Sequence, residues 1–239
     1  MQNKGGKKQQ TSWTLMFLSM MYAVIMLCPG TIASKLVDIH GVLFAAGSLI
    51  LPLLFWIGCI ITEVYGYSAY RRVTWFAISG QFFYTFSLWA LTKLPSPEYW
   101  HHQEAYDFVI GQLPKMFTAH FIFIPICAFV NSYIISKWKI LASGKRFGVR
   151  SVTSSIAGEF LYAILICLVV FYGTLPFSKI AITMVVSFSL KVIYTFLLAY
   201  PAVLIAEFIK SKEKIDVYDY DINYNPFVLE DKETAEQNS

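Results

Sequence analysis

The chain has 239 residues, of which 56% are hydrophobic and only 14% charged, with a mean hydropathy of +0.55. Soluble domains carry roughly a quarter charged residues, so this balance excludes a water-soluble globule as the main body. The formal charge of +4 is small and calls for no nucleic-acid partner.

Crossing ~30 Å of hydrocarbon takes about 20 residues of helix. Residues 1–12 form a short basic lead containing Lys4, Lys7 and Lys8. The first apolar run, 13–32, is long enough to span. Three lysines before it and Thr31-Ile32-Ala33 at its end also fit a cleavable signal peptide, but Pro29-Gly30 reads as an ordinary helix ending. The second and third spans are expected at 41–61 and 73–94. An outer loop, 95–115, follows, rich in Tyr, Trp, His and acid as an interfacial segment should be. Within it, His101, His102 and Glu104 suggest a metal, yet adjacent His side chains diverge on a helix or strand, and solvated surface is the simpler reading.

Three more spans are expected at 116–135, 152–175 and 180–209. The tail, 210–239, is acidic and reads as mostly disordered. Its Asp219, Asp221, Asn223 and Glu230 have EF-hand spacing, but Tyr224 stands where that loop needs Gly and Pro226 interrupts it. No metal or cofactor is expected.

Fourteen of the nineteen Lys and Arg fall in the N-terminal lead, the second and fourth loops and the tail. Positive-inside bias therefore places both termini in the cytoplasm. The expected fold is an all-α membrane domain of six helices in the cell inner membrane. Three spans per half give the halves opposite topology, as an inverted repeat requires, although no internal sequence repeat is evident.

Two charges then stand out, because a charge at bilayer depth costs at least ~2.5–3.5 kcal/mol and usually faces a partner, cavity or solute path. Glu159 lies about seven residues into the fifth span and Lys191 about eleven into the sixth. With Tyr162 one helical turn along, they form either a structural ion pair locking two helices or the lining of a polar path. Glu63 and Glu207 sit at span ends, where an acid can snorkel to water. Pro52, Pro125 and Pro201 lie inside expected spans and would free backbone groups around a cavity. Cys28, Cys59, Cys127 and Cys167 show no CxxC spacing and read as small buried hydrophobes. No ATP-binding, HExxH or GxSxG motif occurs, so no enzyme is expected.

Glu63-Val64-Tyr65-Gly66, followed by Arg71-Arg72-Val73, resembles the queuosine-precursor transporter family. A Ser/Thr-rich fifth span opening at Arg150 and running to Phe160, then Lys191 ten residues before Pro201, extend the likeness over most of 36–209. The resemblance implies an importer of a 7-deazaguanine such as preQ0, preQ1 or queuine, working by alternating access. A homodimer is compatible with it. So is a second reading, a substrate-binding membrane subunit for another vitamin-like heterocycle that needs a separate energising module.

The resemblance also implies solute contacts from Glu159, Lys191, Asn131, Thr62, Glu63, Tyr162 and Arg150. Departures are informative. Family members tend to carry Asp near Cys59 and at Asn131 and Tyr162, Asn at Thr62, and Gln at Glu159. Glu159 can stand in for a lost carboxylate, since it accepts two bonds from an N–H/NH₂ edge.

Overall fold

The computed structural model describes residues 12–32, 35–39, 42–171, 176–220 and 222–228. Seven helices are described: α1 (Trp13–Ile32), α2 (Leu51–Tyr65), α3 (Tyr67–Thr92), the short α4 (Gln103–Ile110), α5 (Leu113–Leu141), α6 (Phe147–Phe171) and α7 (Phe177–Glu213). Five stretches are long and apolar enough to cross a membrane: Trp13–Ile32, Ala46–Tyr65, Gln103–Leu141, Phe147–Ile166 and Ile180–Glu213. The third expected span corresponds to α3. It is 26 residues long, or about 39 Å at 1.5 Å per residue, but Arg71, Arg72, Gln81 and its hydroxyls make it less apolar.

The start of the second expected span is not helical. Leu36–Ile39 (β1) and Val42–Ala45 (β2) pair antiparallel, with Leu36 opposite Ala45 and Ile39 opposite Val42. A 3₁₀ turn, Ala46–Leu49, leads from the hairpin into α2. Pro52 lies within the second span but in the first turn of α2, where a missing N–H breaks no helical bond. Pro125 and Pro201 are interior, as expected. Beside the second of these, the Trp56 indole donates to the Leu198 carbonyl at 2.9 Å, a neighbouring helix serving the backbone near the break.

Nor does α1 end at Pro29-Gly30; it continues to Ile32 and buries Leu18, Tyr22, Ile25 and Met26. The buried Tyr22 hydroxyl lies 3.1 Å from that of Tyr70 on α3, which fixes the first helix into the core. Ser12, just before α1, donates to Glu213 at the end of α7, and Tyr65 at the end of α2 donates to the same carboxylate. The start of the first helix and the end of the last therefore meet at one end of the bundle. Lys139, Arg150 and Lys210 also gather there, and it is called the basic end below.

The segment after α7 is not loose. Residues 216–220 and 222–227 lie across the basic end as a strap, while the rest of the expected disordered tail, from 229 on, lies outside the described residues. Val217 N–H donates to Val64 O at 3.1 Å, and the Asp219 carboxylate accepts the Tyr67 N–H at 3.0 Å. Tyr67 opens α3, whose first N–H groups have no helical partner, and Gly66 before it offers no capping side chain. Asp219 thus caps α3 from 152 residues away and brings a negative charge to a helix N-terminus. Arg71, fully buried, donates to the carbonyls of Asn223 at 2.7 Å and Asn225 at 3.0 Å, while the Trp75 indole donates to Pro226 O at 2.7 Å.

Gly66 allows both the break and the strap. Its φ of +85° with ψ of 170° belongs to a region essentially reserved for glycine, and a Cβ there would fall 2.7 Å from Asp219 Oδ1. We expect Gly66→Ala to cost about 1–3 kcal/mol in backbone strain and to displace Asp219 as well. A lowered unfolding midpoint in detergent, with faster proteolysis within 216–227, is the check. An unchanged midpoint would contradict it.

Candidate functional site

Polar side chains run from the basic end toward mid-depth as a column. Its base is Glu63, at the end of α2 and fully buried. Arg150 grips this carboxylate with two parallel bonds, Nη1 to Oε2 at 2.8 Å and Nη2 to Oε1 at 3.1 Å, and Lys210 Nζ reaches Oε1 at 2.7 Å. Arg150 spends its remaining N–H groups on the carbonyls of Lys145, Gly144 and Ile135, so all five donors are engaged. Lys139 completes the cluster with three 2.6 Å bonds, to Glu63 O, Asp216 Oδ1 and Val217 O. Glu63 is therefore clamped in the interior, where the sequence had suggested an acid snorkelling to water.

Partial burial works to raise the Asp216 carboxyl, but hydrogen bonds and charges from Lys139 and Lys210 outweigh it and hold the group below the usual carboxylate range. A depressed carboxyl contributes its full share above its ordinary value of about 3.9 and loses it as pH falls through the lowered value. The strap should accordingly stay docked at neutral pH and weaken only below about pH 4. Trp75 emission, compared with Trp75→Phe across pH 7 to 3, reports this; release beginning near pH 6 would contradict it.

Above the clamp, Thr62 Oγ1 donates to Gly58 O at 2.8 Å and lies 2.9 Å from Ser132 Oγ. Next come Cys59, Asn131 and Ser155, with Cys59 Sγ 3.3 Å from Ser155 Oγ and 3.6 Å from Asn131 Nδ2. Cys59 thus belongs to the polar column. A turn further along α6, Glu159 is 1% exposed, and Thr195 Oγ1 of α7 sits 3.3 Å from both its carboxylate oxygens.

Lys191, 2% exposed, attracts Glu159 electrostatically and holds its ammonium 4.8 Å from the centre of the Tyr162 ring. Tyr162 Oη is 3.1 Å from His120 Nε2, and His120 Nδ1 is 2.9 Å from Gln81 Nε2. A single polar chain therefore crosses α3, α5, α6 and α7 at mid-depth.

The local cause of this placement is Gly158. A Cβ there would lie 3.1 Å from Cys127 O and 3.0 Å from the Phe55 ring, so α6 presses directly onto the α5 backbone and the next residue, Glu159, is buried. Among the expected site residues, Glu159, Lys191 and Tyr162 come together. Asn131 and Thr62 lie below them in the column, and Glu63 and Arg150 form the separate clamp. His120, Gln81, Thr195, Lys139, Lys210 and Asp216 were not singled out as site residues. A histidine inside an apolar run was the signal available for the first of these.

Three details bear on ligand class. Among the described residues no group of three or more His, Cys, Asp or Glu is placed to hold a metal. His101 and His102 are exposed beside α4. An apolar pocket of about 670 Å³, lined by Trp75, Phe121, Phe129, Tyr224 and Phe227 among others, lies outside the column between α3, α5 and the strap. It offers shape but few polar contacts, whereas the column offers the Glu159 carboxyl, the Lys191 ammonium and the Thr195 hydroxyl.

Apolar membrane-length helices around a buried polar column define a multi-pass membrane protein with an interior polar site. Residues 45–206 match the family model described as "Putative vitamin uptake transporter", well over half of the chain. The chain belongs to this family of vitamin-uptake-type transporters. No curated protein and no solved structure matches it.

Proposed function

We propose that the chain is an inner-membrane importer of a queuosine precursor, a 7-deazaguanine such as preQ0, preQ1 or queuine, serving tRNA queuosine salvage. The observation that carries this is the buried Glu159 carboxylate, bracketed by Thr195 and Lys191 and adjoined by the Tyr162 ring. A guanine-type edge presents adjacent N–H and NH₂ donors, which one carboxylate accepts in parallel. Lys191 suits the neighbouring carbonyl, and Tyr162 suits the flat ring face.

In this reading six helices span the membrane and the basic end faces the cytoplasm, in keeping with the positive-inside bias. Access alternates between two three-helix halves. The Glu63–Arg150–Lys210 clamp with its strap is the inner gate, closed in this structure. Its donors are already used within the protein, which favours a gating role for Glu63 and Arg150 over solute contact.

The experiment is expression in a strain that depends on external precursor and lacks its own importer. With preQ1 supplied, queuosine should return to tRNA. Absence of queuosine despite membrane expression would reject the substrate.

A further inference from the structure

The far end of the polar chain holds an unused acceptor. Gln81 on α3 is 3% exposed; its Nε2 serves His120, but its Oε1 is buried without a hydrogen-bond partner. Buried amide carbonyls left unpaired are uncommon in native interiors, and each one asks for an explanation.

Here the amide orientation and the histidine tautomer are coupled. His120 Nδ1 faces the Gln81 NH₂ and must accept, so the neutral ring carries its proton on Nε2 and donates to Tyr162 Oη. Turning the Gln81 amide over would require the other tautomer and would reverse the bond to Tyr162. On α1 the facing position is Gly30, where a Cβ would sit 3.8 Å from both Gln81 Nε2 and Leu113 Cδ2, so that helix packs against the nitrogen side of the amide.

We propose that Gln81 is a specificity-determining residue: its carbonyl accepts an N–H of the transported heterocycle, with His120 acting as the positioning residue coupled to the amide. Resting on the transport reading above, this extends the recognition surface from Glu159 to a second edge of the ring. A site built to receive a particular N–H discriminates strongly against rings that lack it, because the unpaired acceptor stays buried.

The test is binding to purified protein in detergent, by thermal shift and direct titration, with preQ1, guanine, thiamine, pyridoxine and riboflavin as probes. Gln81→Met keeps the volume and removes the acceptor together with the N–H that serves His120. Any probe that binds the wild type should bind Q81M at least about tenfold more weakly, while the melting temperature without probe stays close to wild type. Should Q81M not fold, Gln81→Glu retains an acceptor oxygen. Binding by Q81E within about threefold of wild type supports the assignment, and its loss from folded Q81E overturns it.

The outcomes separate the two readings. Binding of a different heterocycle but not preQ1, weakened in Q81M, removes the queuosine assignment and leaves Gln81 standing. Equal binding by wild type and Q81M overturns the role of Gln81 alone. Binding of no probe by folded wild type overturns both.

Discussion

Replacing Glu63 with glutamine should destabilise the protein by about 3–5 kcal/mol, more than replacing Arg150 with methionine. Breaking a buried ion pair is costly because it strands the remaining charge. Among the described residues Glu63 is the carboxylate joining Arg150 to Lys210, and its loss leaves a fully buried guanidinium with backbone carbonyls and the Phe147 ring but no counter-charge. Loss of Arg150 is milder, since Lys210 at 2.7 Å still neutralises Glu63. Lys139 adds to the asymmetry: with Glu63 neutral, three cations crowd one exposed acid, Asp216. Unfolding midpoints of the two variants in detergent decide the matter. Equal midpoints, or a more stable Glu63→Gln, would show that the clamp is not organised around this carboxylate.

The second large effect concerns transport. Glu159→Ala should lower precursor uptake by about 10²–10⁴-fold, since hydrogen bonds to a charged group contribute about 1.5–3 kcal/mol each and the solute edge makes two. Lys191→Ala should act in the same direction through one bond and the loss of charge balance. Glu159→Gln keeps one acceptor and should fall between. Suppose instead that the pair only staples α6 to α7. Then a Glu159→Gln, Lys191→Met double variant would fold and transport normally. That result would return both residues to a structural role.

Much of this was legible in the sequence because its signals are local. Five apolar stretches overlap expected spans, while α3 covers most of the remaining one, the third, but is less apolar, and Glu159 and Lys191 are conspicuous as charges in apolar runs. What was missed depends on pairing partners that composition does not reveal. Val42–Ala45 is as apolar as the helix after it, so only pairing with Leu36–Ile39 distinguishes it as a strand. The tail has the composition of a disordered segment, and the contacts of its described part come from Tyr67, Arg71, Ser136 and Lys139, all more than 70 residues earlier. Glu63 at a helix end resembles any snorkelling acid until Arg150 and Lys210 fold over it. The significance of Gln81 and His120 lies in the chain through Tyr162 that three separate helices build.

Reconstituted transport tests the central claim most directly. Purified protein in liposomes, under an imposed pH gradient and membrane potential, would be given radiolabelled preQ1. The account predicts time-dependent accumulation by the wild-type chain alone and almost none by Glu159→Ala. Equal accumulation in the two, or none by folded wild-type protein, would contradict it.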